Sequence, residues 1–221
     1  TLAETQWLLD LADQHEFIRG VVGWVDLRSP DLHAQLARFS AHPKFCGVRH
    51  VVQDEPDGQF MLRDDFRRGI GQLAEFGLTY DILIFSRHLP IACELVKRFP
   101  DQPFVLDHIA KPLIKGGVLE PWAADIERLA AYPNVFCKIS GLITEADWQG
   151  WKPAHFRPYL DVALEAFGPR RLMFGSDWPV CTLAGAYDEV AGLVAAYAQQ
   201  LLVDEQAQVW GETAQQFYGL A

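Results

Sequence analysis

FVLDHIAKPLIKGGVLEPWAADIERLAAYPNVFCKIS, residues 104 to 140, contains one complete turn of the pattern that decides the fold. Phe104-Val105-Leu106-Asp107-His108 is a short run of strand formers, and Val135-Phe136-Cys137-Lys138-Ile139 is a second. Between them Trp122 to Ala131 repeats its apolar residues at helical spacing, and Pro133 stops it. The unit therefore reads strand, helix, strand. Both strands end on titratable or hydroxyl side chains: Asp107-His108 in the first, Lys138 with Ser140 in the second.

The same grammar extends in both directions. Upstream strands are expected at Gly20 to Val25, Phe45 to Val51 and Tyr80 to Ile84, and a last one at Leu172 to Phe174. Helices are expected at Leu32 to Phe39, Phe66 to Phe76, Ile91 to Phe99 and Phe156 to Phe167, with two closing helices over Tyr187 to Gln200 and Asp204 to Tyr218. Gly77, Pro100 and Gly168-Pro169 punctuate them. Strands roughly 30 residues apart with a helix in each gap are the mark of parallel βα units. Two architectures satisfy it: an open doubly wound sheet, or a (β/α) barrel. No GxGxxG follows any strand, which removes the fingerprint of a dinucleotide fold.

A complete barrel needs eight units and about 250 residues, against about six strands in 221 residues. The fold expected is α/β, a (β/α)8 TIM barrel whose first two βα units lie outside this chain. Residues 1–221 then form a single domain. The opening Thr1-Leu2-Ala3-Glu4-Thr5-Gln6-Trp7 reads as a helix already in progress. Roughly 60 to 70 further residues are expected upstream on the length of a typical barrel unit.

Composition narrows the partners. Half the residues are hydrophobic and the formal net charge is −10, which disfavours nucleic acid or an anionic membrane as the binding surface. No run approaches the roughly 18 apolar residues of a membrane span. Cys46, Cys93, Cys137 and Cys181 form no CxxC pair, so zinc-ribbon and thioredoxin readings fail and free thiols in a reducing cytoplasm are expected.

In parallel α/β folds ligands sit at the carboxyl ends of the strands, and here the titratable residues gather there. Strand ends carry Asp26, Arg49-His50, Asp107-His108, Lys138 with Ser140, and Asp177; Asp81 lies near the start of its strand. Each has a plain alternative. Asp177, in Phe174-Gly175-Ser176-Asp177-Trp178-Pro179-Val180, could cap a turn. Arg49 and Lys138 could be structural ion-pair partners. Asp107 and His108 are adjacent, so on one strand their side chains face opposite ways; His108 is expected inside and Asp107 outside. His15, His33, His42, His88 and His155 are expected at the surface. Trp148-Gln149-Gly150-Trp151 is either a lid or a packed corner.

With these residues in place, the chain resembles the amidohydrolase superfamily, in its amidohydrolase-related branch of sugar-lactone hydrolases similar to fuconolactonases and rhamnonolactonases. The stretches that carry it are Gly47 to Pro56, Leu106 to Pro112, Lys138 to Leu142, Thr144 to Trp148 and Gly175 to Pro179, in family order. The resemblance implies a barrel whose last strand ends on a water-activating aspartate, matched by Asp177. It also implies a histidine that contacts the carbonyl or a metal, matched by His108. The family's His-x-His pair is absent from the sequence, which fits a first strand lying upstream.

The expected function is hydrolysis of a sugar lactone to its hydroxy acid. Asp177 and His108 would be catalytic; Arg49, His50, Asp81, Lys138 and Trp178 would bind substrate. His108 and Asp177, with an upstream His-x-His outside this sequence, are also the expected ligands of one divalent metal ion, zinc by preference, and a metal-free mechanism is compatible too. The partner is a small-molecule lactone, and a homo-oligomer is compatible with the sequence. Two rivals stand beside this reading: a decarboxylase or hydratase of an unsaturated or aromatic acid in the same superfamily, and a non-catalytic small-molecule-binding barrel.

Overall fold

The structure is a computed structural model describing residues 1–220. Six strands form one parallel sheet: β1 (Val21–Gly23), β2 (Phe45–Val51), β3 (Thr79–Leu83), β4 (Phe104–Leu106), β5 (Val135–Ile139) and β6 (Leu172–Phe174). Their order in space is their order in sequence. A doubly wound sheet reverses its strand order at a switch point; this one never does. It advances in one direction, as barrel strands do.

Helices fill the gaps: α1 (Leu2–Gln14), α2 (Leu32–Ser40), α3 (Asp64–Leu73), α4 (Leu89–Val96), α5 (Trp122–Ala130), α6 (Pro153–Phe167), α7 (Tyr187–Ala198), α8 (Val203–Ala207) and α9 (Thr213–Tyr218). Thr1 caps α1, accepting from the Glu4 amide, with Glu4 reaching back in a capping box, which satisfies amides that a helix start leaves open. The expected closing helix over Asp204 to Tyr218 is divided by a π turn at Gln208–Glu212.

Register separates the two faces of the sheet. Val48, Tyr80, Phe104 and Val135 are aligned across neighbouring strands, and all are buried in the main core with Leu36, Ile70, Leu95, Ile126 and Leu160 of the surrounding helices. One step along each strand, Arg49, Asp81, Val105 and Phe136 are aligned, and alternation puts them on the opposite, inner face. There Val105, Met173 and Phe217 form a small separate cluster joined by Phe136 and Tyr218. The inner face thus has an apolar floor supplied by α9. Tyr218, Gly219 and Leu220 lie beside Arg19, Pro43 and Lys44 at the strand starts, so the strand carboxyl ends are the open side. Among the described residues no helix is long and apolar enough to cross a membrane.

Candidate active site

Two groups of polar side chains occupy the inner face at different depths. The deeper one joins four strands and the C-terminal helix. Lys138 Nζ of β5 lies 2.5 Å from Asp81 Oδ2 of β3 and 2.7 Å from Asp107 Oδ1 at the end of β4. Arg49 Nη1 of β2 donates to Asp107 Oδ2 at 3.1 Å, and the Tyr218 hydroxyl donates to Asp81 Oδ2 at 2.8 Å. Both carboxylates are fully buried. Burial pushes the Asp107 carboxyl up, but Lys138, His108 and Arg49 outweigh it and hold the group at about 2. Asp81 is raised, because burial and the neighbouring Asp107 charge exceed what Lys138 returns. Burial opposes the Lys138 charge, yet the two carboxylates raise its pKa well above the ordinary lysine value. Two anions and two cations therefore compensate one another in a place where any one alone would be costly.

The second group sits at the strand ends. After Leu106 the chain leaves the sheet in four consecutive left-handed residues, His108, Ile109, Ala110 and Lys111, with φ of 55°, 44°, 57° and 50°. That conformation is uncommon outside glycine and asparagine and costs energy at each step, most for the β-branched Ile109. Its effect is to swing His108 across the strand ends. The His108 ring pairs through Nδ1 with Ser140 Oγ at 2.8 Å and presents Nε2 to Asp177 Oδ1 at 3.6 Å. Burial lowers the His108 pKa despite the opposing carboxylates of Asp107 and Asp177. Asp177 is itself left-handed, φ 57°, and precedes a cis peptide to Pro179. Its turn is capped by Ser176, whose hydroxyl accepts from the Trp178 amide at 3.2 Å. Among the described residues no donor hydrogen-bonds to the Asp177 carboxylate; the more distant His108 is the group it faces.

These positions correct several expectations. Asp107 and His108 do not face opposite ways: β4 ends at Leu106, Asp107 turns in to Lys138 and Arg49, and the left-handed run carries His108 to the same side. His50 was expected to bind substrate, yet alternation with Arg49 turns it outward. Its ring stacks on Phe60 at 4.8 Å and its Nε2 meets Glu55 at 2.7 Å, leaving it within the helix-facing layer. Asp81 and Lys138, also expected to bind substrate, are instead engaged with each other in the deep network. Arg49 differs, since 42% of its side chain stays exposed although Nη1 is bound to Asp107. Trp178 stands exposed beside Asp177. His88, expected at the surface, is buried, and burial followed by the Arg87 charge lowers its pKa. Asp26 accepts from the Arg28 amide and serves a turn. The Trp148 and Trp151 indoles donate to the Thr144 and Ala184 carbonyls, which ties that loop down while Trp148 itself stays half exposed. Tyr218 went unnoticed in the sequence; 137 residues separate it from Asp81.

A divalent ion would find two donors here. Two ligands on a tetrahedral zinc stand about 3.4 Å apart, from bonds of about 2.0–2.1 Å, and His108 Nε2 and Asp177 Oδ1 are 3.6 Å apart. They fit as a pair. Among the described residues no group of three or more His, Cys, Asp or Glu side chains is placed to hold a metal.

The chain is 45% identical over 228 aligned positions to L-fucono-1,5-lactonase of Burkholderia multivorans, covering 98% of this chain and 77% of that protein. It is 40% identical to L-fucono-1,5-lactonase of Burkholderia ambifaria, covering 99% and 76%. A crystal structure of an amidohydrolase from Burkholderia multivorans with bound zinc superposes with a TM-score of 0.95 at 45% identity, over 99% of this chain and 80% of that one. The amidohydrolase family profile matches residues 2–220. On that match the chain belongs to the amidohydrolase family.

Proposed function

We propose that the protein is a hydrolase that opens a sugar lactone, of the L-fucono-1,5-lactone type, to its hydroxy acid. The observation that carries this reading is the state of Asp177. A carboxylate at a strand end, held by left-handed backbone and unclaimed by its own turn, has both oxygens available for chemistry. The 40–45% identical relatives named as lactonases support the substrate class. We read the six strands as units of an eight-stranded barrel forming one domain, with substrate entering at the strand carboxyl ends.

In the reaction Asp177 accepts a proton from water as the water oxygen bonds to the lactone carbonyl carbon. His108, across from Asp177, polarises the carbonyl and stabilises the negative charge that develops on its oxygen. The ring C–O bond then breaks, and the proton held by Asp177 passes to the departing ring oxygen. One lactone and one water give one hydroxy acid. Arg49, with its side chain partly exposed, binds substrate oxygens at the edge of the site, and Trp178 offers an apolar wall. A divalent ion held by His108 and Asp177 would add Lewis-acid polarisation of the carbonyl and acidify the attacking water. Asp81, Asp107, Lys138 and Tyr218 lie beneath and fix the floor.

The test is proton release from a panel of aldonolactones with the purified protein. Turnover well above spontaneous hydrolysis for a 1,5-lactone of L-fucono configuration is expected. Tight binding of the sugar acid with no rate above background would instead make the protein a binding barrel.

A further inference from the structure

Ser140 is buried, and its hydroxyl meets His108 Nδ1 at 2.8 Å. Among the described residues that hydroxyl has no other hydrogen-bond partner. The contact is tightly built from both sides. Gly141, at φ 62°, lies against the imidazole so closely that a Cβ there would stand 2.9 Å from His108 Cβ, Cγ and Nδ1. A Cβ on Gly175 would stand 2.9 Å from Ser140 Cβ. Two glycines thus make room for the serine and the ring to touch.

We propose that Ser140 is a positioning residue that, with no metal on Nε2, donates a hydrogen bond to His108 Nδ1, so that the imidazole carries its own proton on Nε2 and acts as a hydrogen-bond donor to the lactone carbonyl oxygen. Two features of the geometry select this direction. If the hydroxyl accepted from Nδ1–H, its own proton would be left buried without an acceptor, which is the costly way to leave a polar group. The opposite tautomer would also turn the Nε2 lone pair toward Asp177 Oδ1 at 3.6 Å, acceptor facing acceptor. With the proton on Nε2, an N–H faces the carboxylate and the space where the carbonyl oxygen must sit. Which ring nitrogen is protonated is set by the partner of the other. The serine therefore decides which chemistry the histidine performs: donation to a developing oxyanion.

The inference rests on the lactonase reading for its consequence and on geometry alone for its direction, and the two are measured separately. Ring-nitrogen NMR on the full, chelator-treated protein at neutral pH is expected to show a pyridine-type His108 Nδ1 displaced by an accepted hydrogen bond, and a pyrrole-type Nε2. Ser140→Ala, which only removes atoms, should abolish that displacement and lower kcat on the lactone about tenfold with KM within about twofold, as for loss of a transition-state contact. Ser140→Cys, with its weak S–H donor, should fall between. A pyrrole-type Nδ1 in the wild type would overturn the proposal, as would an alanine variant with unchanged Nδ1 resonance and full kcat. Failure of the wild type to hydrolyse lactones would sink the functional reading instead, while the wild-type ring resonances would still decide the direction of the bond.

Discussion

The deep network and the strand-end pair are both built of charged or titratable groups on the inner face, yet their bonding differs in kind. Lys138 is shared between Asp81 and Asp107, and Arg49 and Tyr218 complete the set at 2.5–3.1 Å. His108 and Asp177 meet at 3.6 Å, beyond hydrogen-bond length, and among the described residues the Asp177 carboxylate has no closer partner. Groups that neutralise one another and are buried have little left to give a substrate, though Arg49 of this set keeps part of its side chain exposed. Groups held close without being satisfied have more. On the proposed function, the first set holds the strands together, with part-exposed Arg49 also reaching substrate, and the second carries the chemistry.

Breaking the deep set should cost the fold. Lys138→Met keeps an unbranched side chain one atom shorter but leaves two carboxylates buried without their shared cation. Removing one partner of a buried ion pair typically costs about 3–5 kcal/mol, and denaturant unfolding should show a loss of that size. A stability change within about 0.5 kcal/mol, the range of an ordinary surface substitution, would mean that the network is not structural. Tyr218→Phe is a gentler version. It removes one donor from Asp81 while keeping the ring against Phe217, and about 1–3 kcal/mol should be lost. Truncation before Phe217 should cost more, because the apolar floor under Val105 and Met173 goes with it.

The cysteines sharpen the comparison from another side, with the smallest effect. Burial raises the Cys46 thiol to about 12, with Asp81 adding to it, and raises Cys93 to about 11; Cys137 is pushed up further. The thiolate is the reactive form. The native protein should therefore react with a thiol reagent at neutral pH much more slowly than the same chain in denaturant. Equal rates would show that the layers flanking the inner face are open to solvent.

How far this contrast was visible in the sequence depends on range. The βα alternation was legible, and β2, β5 and β6 fall where their apolar runs placed them, because strand propensity and turn punctuation are local. The end of β4 was not. Four left-handed residues without a glycine or asparagine gave no warning, so Asp107 and His108 were treated as one alternating strand. His50 was misplaced for a simpler reason: adjacency to Arg49 already put it on the outer face. Lys138 lies 57 residues from Asp81 and Tyr218 still further, and no local pattern announces such partners. Asp177 stood out because a carboxylate after an apolar strand needs a reason, and the structure leaves it without the bland one.

The measurement that bears most directly on the division of labour is Asp177→Asn, assayed for lactone hydrolysis and for stability in the same preparation. Asparagine tolerates left-handed backbone, and the Ser176 cap does not depend on the carboxylate, so the unfolding free energy should match wild type. It cannot take a proton from water at neutral pH, and general-base loss costs about 10² to 10⁴ in rate. The account predicts kcat down by at least a hundredfold with stability unchanged, the reverse of Lys138→Met. An asparagine variant that turns over at close to the wild-type rate would contradict it and return Asp177 to the status of a turn residue.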